Sequence, residues 1–415
     1  MGDLKTPRVF YGWWIVLAAF LNLFFTVGIV YYGFPVFYTS LVESLGYTRG
    51  QVTQGFFLGF VMVAPPFGLL AGALIDRWGA RHVIRVGIAF VGVSLIVMGR
   101  ISALWQYYLL CVTEVIGYVL AGPIPNQVLI AKWFQAKRGR AMGYAYLGLG
   151  LGGAASPLLI NGLIERFGWR RAFEIIGYLI LVVLFPVAQW VTRSSPAELA
   201  LLPDGSTVIQ DPWGDSAAET AAVRRAVRSG NFWLILAGCT LTLFAIGTVS
   251  QHFVLFLKDQ GYSTTKASQM LSSLLVSSLA GRVVVGHFAD RYNMKNIMAL
   301  FYLVLALAIP LLFLARQPTV VWGFAALFGF AMGADYMLIP LITAECFGLA
   351  ALGKLLAIII MTYSVAQFLG PVLAGKIFDA THSYDLAWSL VTAAGLLGSA
   401  MIYWISPRQD REAAG

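Results

Sequence analysis

Charge is what this chain has least of. Of 415 residues only 11% are Asp, Glu, Lys or Arg, against about a quarter in soluble domains. With 59% hydrophobic residues and a mean hydropathy of +0.78, that shortage excludes an ordinary water-soluble globule. Cysteine is scarce too. Cys111 and Cys239 lie within apolar runs and Cys346 at the cytoplasmic end of one, so they form no extracellular disulfide framework. No CxxC or His/Cys cluster is present to hold a metal. No small-residue cleavage site follows the first apolar run, which is therefore expected to remain as a span. No nucleophile–base pair suggests an enzyme. The glycines between 143 and 153 lack the preceding strand and following Lys-Ser/Thr of a phosphate loop. Nothing asks for a cofactor.

What the chain has is apolar length. About twelve runs are long enough to cross roughly 30 Å of hydrocarbon. They lie near 12–38, 52–74, 83–99, 104–131, 141–162, 172–192, 231–256, 268–288, 296–315, 319–344, 354–375 and 385–405. The net charge of +9 follows their topology rather than a nucleic-acid footprint. With the N-terminus inside, 18 of the 28 Lys and Arg fall in cytoplasmic segments and nine outside. That bias puts both termini in the cytoplasm of a multi-pass cell (inner) membrane protein. The fold expected is all-α, twelve membrane helices in two six-helix bundles.

The bundles are read as residues 1–193 and 231–415, joined by the one long polar segment, 194–230. That linker holds Pro196, Pro203, Pro212 and a basic run, with a short amphipathic helix expected near 216–228. The two sides repeat. Gly72-x-x-x-Asp76-Arg77-x-x-x-Arg81 returns as Gly286-x-x-x-Asp290-Arg291-x-x-x-Lys295 at an offset of 214. Pro157 and Pro371 share that offset, and Gly46-Tyr47-Thr48 returns as Gly261-Tyr262-Ser263 at 215. Duplicated halves of this kind put a substrate site near the midplane, at their interface.

Arg282 is the residue that asks for a reason. It lies eight residues before Asp290, roughly 12 Å along a helix. A guanidinium cannot shed its proton, and burying it is costly, so it is expected to face a cavity or a partner. Its planar fork suits a carboxylate. Its bland alternative is a structural pair with Asp335 of the tenth run. Asp335, Glu114 of the fourth run and His252 near the outer end of the seventh are candidate proton carriers. The glycine-rich fifth run, from Gly143 to Gly153, is read as helix packing.

The segment Gly72-Ala73-Leu74-Ile75-Asp76-Arg77-Trp78-Gly79-Ala80-Arg81 resembles the loop 2–3 signature of the major facilitator superfamily, with Asp290 and Arg291 in the weaker second copy. Trp169-Arg170-Arg171-Ala172-Phe173 is another segment common there. Within the superfamily, Trp133 to Gly143 and Tyr32-Gly33-Phe34-Pro35 are similar to the monocarboxylate transporter family, including its bacterial lactate-transporting members, and to oxalate–formate exchangers. The resemblance implies that the lone helix 8 arginine, here Arg282, binds the substrate carboxylate. It implies pocket roles for Tyr336 and Tyr32, which match cavity tyrosines of the exchangers. Tyr118, Leu147 and Tyr363 complete the pocket candidates. Two positions depart. Ser278 stands where animal relatives carry an Asp implicated in proton coupling, and Val36 stands where they carry a Lys. Tyr363 stands where oxalate exchangers carry a second cation. One buried cation suits a monoanion better than a dianion.

The expected function is secondary active transport of a short monocarboxylate, L-lactate or pyruvate, by proton symport and alternating access in a monomer surrounded by lipid. An oxalate/formate-type organic anion exchanger is the alternative. A non-transporting membrane sensor is disfavoured, because no soluble signalling domain is attached.

Overall fold

The computed structural model describes residues 10–134, 137–204, 216–288, 293–348 and 352–406. Helices dominate, and the single isolated β-bridge among the described residues joins Phe134 to Asp204. In chain order the helices are α1 (Gly12–Leu23), α2 (Pro35–Leu45), α3 (Arg49–Trp78), α4 (Ala80–Met98), α5 (Leu104–Ala121), α6 (Pro123–Trp133) and α7 (Arg138–Pro186). After the linker helix α8 (Ser216–Val227) come α9 (Gly230–Asp259), α10 (Thr264–Phe288), α11 (Met294–Ala308), α12 (Pro318–Phe347), α13 (Leu352–Thr381) and α14 (Asp385–Tyr403).

These account for the twelve expected spans. The first is α1 and α2 joined through a π-helical stretch, Phe24–Tyr32. Pro35 lacks an N–H and its ring crowds the preceding turn, so the regular ladder does not pass through it. Pro123 divides the fourth span into α5 and α6 in the same way. The expected fifth and sixth spans run together as α7 and are separated by conformation at Gly168, with φ 77° and ψ 159°. Nine helical stretches among the described residues are long and apolar enough to cross a membrane, and one of them, Gly139–Val191, has 53 residues, enough for two crossings. The linker helix forms where it was expected.

The Gly-Tyr-Thr/Ser repeat has a local cause. Gly46 and Gly261 adopt φ of 70° and 89°, which a side chain would disfavour. Two residues on, a hydroxyl caps the next helix. Thr48 Oγ1 accepts from Gln51 N at 3.3 Å, and Gln51 Oε1 accepts in turn from Thr48 N at 2.9 Å. Ser263 Oγ accepts from Lys266 N at 3.2 Å. Each copy thus reverses the chain and starts a membrane helix, α3 in one half and α10 in the other.

The chain forms two compact units. The first holds Met1–Tyr31, Met62–Gly153 and Phe167–Gln210. Its helices meet through small residues: a Cβ on Gly87 would crowd the Leu120–Ala121 backbone, and one on Gly117 would crowd Val91. Ser94 and Thr113 join α4 to α5 at 3.0 Å. The second unit holds Tyr32–Val61, Ala154–Arg166 and Asp211–Gly415. It therefore gathers α2, the first turns of α3 and a short stretch of α7 with the C-terminal helices.

Candidate substrate and coupling site

The seam of α10 with α12 sets the geometry around Arg282. A Cβ on Gly329 would overlap the Leu274 carbonyl, one on Gly333 the Ser278 carbonyl, and one on Gly281 the Phe330 carbonyl. Backbones approach this closely only where side chains are missing. Leu274 opposite Gly329 and Ser278 opposite Gly333 fix a parallel register. Gly281 against Phe330 keeps the next residue, Arg282, beside the same seam, within the span of residues 331–337 of α12. The Ser278 hydroxyl turns back onto its own helix, donating to the Leu275 carbonyl at 2.7 Å.

Arg282 is half-buried, and its Nε is shielded from solvent with no hydrogen-bond partner among the described residues. It joins no ion pair among the described residues. A guanidinium in this state has the charge and free donor to take an anion. Its suggested structural pair does not form. Asp335 turns from the α10 seam toward α11, where its Oδ1 accepts from the Tyr302 hydroxyl. Its Oδ2 is buried without a partner among the described residues.

The other sequence-named residues are distributed as follows. Tyr32, at the end of the π-helical stretch, and Tyr363 of α13 belong to the second unit and are 6% exposed each. Tyr118 of α5 is half-buried and Leu147 of α7 is 43% exposed, both in the first unit. Tyr336 is in α12, and its side chain lies outside the described residues. Glu114 is fully buried in α5, with neither carboxyl oxygen partnered among the described residues.

Of the loop motif, Gly72 and Asp76 lie in α3 with side chains outside the description, and Asp290 and Arg291 lie outside the described residues altogether. Arg77 is exposed in the last turn of α3, and Gly79 makes the turn into α4 with φ 78°. Arg81 donates to the Gln189 carbonyl and Arg85 to the Gln189 side chain. Trp133 Nε1 donates to the Arg193 carbonyl at 2.9 Å, so this end of the first unit is knit to the start of the linker.

A second cluster was not anticipated. Arg49, the first residue of α3, grips Asp259 of α9 through two contacts of 2.5 Å. Its guanidinium lies 3.8 Å from the Phe378 ring centroid and donates to Tyr384 Oη at 2.9 Å. Asp379 of α13 accepts from the backbone N–H groups of Arg49 and Gly50 at 3.1 and 3.0 Å. A carboxylate there satisfies the free amides of α3 and complements its dipole.

His252 belongs to this cluster and is fully buried, because α13 and the turn before α14 cover the last turns of α9. Its Nδ1 is 2.8 Å from Tyr384 Oη and its Nε2 is 2.7 Å from the Pro371 carbonyl. A carbonyl only accepts, so Nε2 carries the proton and Nδ1 accepts from Tyr384. Burial pushes the Tyr384 phenol above its ordinary pKa, which keeps it a donor. The sequence signal for this cluster was the capped repeat at Thr48. Its partners, some 210 to 335 residues away, carried none.

Residues 21–334 match the family model of the Major Facilitator Superfamily. The chain belongs to that superfamily. It is accordingly a multi-pass membrane transporter of small solutes, not an enzyme. It is 24% identical over 402 residues to monocarboxylate transporter 13 of Rattus norvegicus, covering 96% of this chain and 90% of the relative. Monocarboxylate transporter 12 of Homo sapiens is 23% identical over 429 residues, with 94% and 81% covered. The transporter asaE of Aspergillus flavus is 28% identical over 328 residues, with 76% and 69% covered. Among solved structures, a bacterial homologue of the human lysosomal transporter Spinster superposes with a TM-score of 0.68 at 15% identity. It covers 97% of this chain and 95% of that one, a likeness of fold.

Proposed function

We propose that this facilitator carries a short monocarboxylate, L-lactate or pyruvate, together with a proton across the cytoplasmic (inner) membrane, as a monomer with both termini in the cytoplasm. Residues 1–193 and 231–415 serve as the two rocking halves and 194–230 as their tether. The observation that carries the reading is Arg282, a half-buried guanidinium with no ionic partner among the described residues, on a helix held rigidly by the glycine seam with α12. A permanent charge there discriminates for anions, and one such charge balances one carboxylate. Similarity to monocarboxylate transporters 12 and 13 supports the substrate class. Tyr32, Tyr336, Tyr363, Tyr118 and Leu147 are the proposed pocket walls. Asp335, His252, Glu114 and Ser278 are the polar groups considered for coupling.

Labelled lactate uptake into proteoliposomes tests this. An inward proton gradient raises accumulation and a protonophore abolishes it. Gradient-independent exchange, competed by dicarboxylates, would instead identify an oxalate/formate-type exchanger.

A further inference from the structure

Behind the seam that carries Arg282, three groups from three helices meet out of reach of solvent. Asp335 of α12 is 1% exposed, Tyr302 of α11 is 1% exposed and Cys239 of α9 is 0% exposed. The Tyr302 hydroxyl contacts Asp335 Oδ1 on one side and Cys239 Sγ, at 3.7 Å, on the other. It has one proton and two acceptors, so it serves one neighbour at a time.

Two arrangements satisfy the chain without moving a heavy atom. With Asp335 ionised, the Cys239 thiol donates to Tyr302 and Tyr302 donates to the carboxylate. With Asp335 protonated on Oδ1, the carboxyl donates to Tyr302, and Tyr302 turns its own proton to the sulfur. One proton is added to Oδ1, and each of the other two keeps the proton it had.

We propose that Asp335, Tyr302 and Cys239 form the site that binds the co-transported proton, with Tyr302 as a positioning residue whose hydroxyl reverses direction when the proton arrives. This rests on the monocarboxylate symport reading above and names the coupling group within it. Glu114 offers no such pair of states, since neither of its oxygens has a partner among the described residues.

The groups facing Asp335 support the assignment. Tyr302 comes from α11 and Cys239 from α9. The seam keeps Arg282 of α10 beside the same span of α12, but Asp335 is about 200° around α12 from Gly333 of the seam. No ion pair reaches Asp335 from α13 among the described residues, and the turn 309–314 carries no titratable side chain.

Charge balance then gives the coupling. The empty carrier holds Arg282 positive and Asp335 negative. The loaded carrier holds Arg282 against the substrate carboxylate and Asp335 neutral. Both sum to zero. Either ligand alone leaves a net charge inside the membrane, which penalises reorientation. The device therefore couples one proton to one monoanion.

The test compares wild type, D335N and Y302F in proteoliposomes. A one-unit proton gradient supports about tenfold lactate accumulation by the wild type at one-to-one coupling. D335N, which imitates the protonated carboxyl, is expected to lose that accumulation and keep lactate–lactate counterflow. Proton-driven accumulation by D335N overturns the proposal.

Infrared difference spectra on changing pH supply a readout that needs no substrate. A protonated-carboxyl band is expected in wild type and absent in D335N. Its midpoint moves up by about one pH unit in Y302F, which loses the donor to the ionised form. If D335N does not fold, an unmoved midpoint in Y302F overturns the proposal. If the wild type moves no monocarboxylate, the symport reading fails, while the pH-dependent band still decides whether this site binds a proton.

Discussion

Arg49 and Asp259, 210 positions apart, meet in a two-pronged ion pair with both N···O contacts at 2.5 Å. The pair is part of a latch. Asp379 caps α3, Tyr384 bridges Arg49 to His252, and Lys258 reaches Glu43 at 3.3 Å. Under the proposed topology this is the external end, where the latch ties the N-terminal helices α2 and α3 to the C-terminal ones. The inner members are the stronger, because Arg49 is 12% exposed whereas the Glu43 side chain is 61% exposed and screened by water.

Releasing the latch should open this end. A charge-assisted hydrogen bond is worth about 1.5–3 kcal/mol, so losing one shifts a closed–open equilibrium by about tenfold or more. Thr53, 2% exposed and bonded to the Pro371 carbonyl at 3.3 Å, reports on it. T53C alone should resist an impermeant maleimide applied from outside. T53C combined with D259N or D379N should label at least several-fold faster. Equal labelling in all three would refute the latch.

The seam between α10 and α12 makes a stability prediction with an internal control. Gly333 faces the Ser278 carbonyl with no room for a Cβ, whereas Gly323, on the same helix, has nothing within 4 Å. G333A should cost about 1–3 kcal/mol through overpacking and lower the melting temperature in detergent. G323A should leave it unchanged or raise it slightly, since Ala is the better helix former. A G333A protein as stable as G323A would mean that the helices are not in van der Waals contact there.

Tyr384 offers a third test. Y384F removes the donor to His252 Nδ1 and one acceptor of Arg49 in one step, leaving the buried imidazole nitrogen unsatisfied and the half-buried guanidinium short of a partner. The expected loss is about 1–3 kcal/mol of stability, read as a lower melting temperature together with faster T53C labelling. A melting temperature like the wild type's would mean that water or another side chain takes over both bonds.

Much of this was legible from residue type alone. Apolar runs of helical length located the spans, because each backbone must satisfy its own hydrogen bonds in hydrocarbon. The capped starts of α3 and α10 were visible as a repeat, and Arg282 stood out because a charge in such a run needs a reason. The separation of 141–162 from 172–192 was legible, but the residue at which the chain breaks was not, because that turns on the conformation of Gly168.

Nor were the partners of Asp335 and Arg49. Tyr302 sits in an apolar run where an aromatic is ordinarily packing, and Asp379 is one more charge near a helix end. Only the fold brings them to their counterparts across long stretches of chain. For His252 the sequence showed a position near a helix end, and the cover of Tyr384 and Pro371 was invisible in it.

The account stands on Arg282, and the most direct measurement is monocarboxylate binding and uptake by R282K and R282Q. Purified at wild-type yield and reconstituted, both should lose lactate uptake by about a hundredfold or more, since breaking one member of a desolvated charge pair costs about 2–5 kcal/mol. R282K keeps the charge but not the fork, so its failure would assign the loss to bidentate geometry. Robust lactate uptake by either variant would contradict the claim that this guanidinium is where the carboxylate docks.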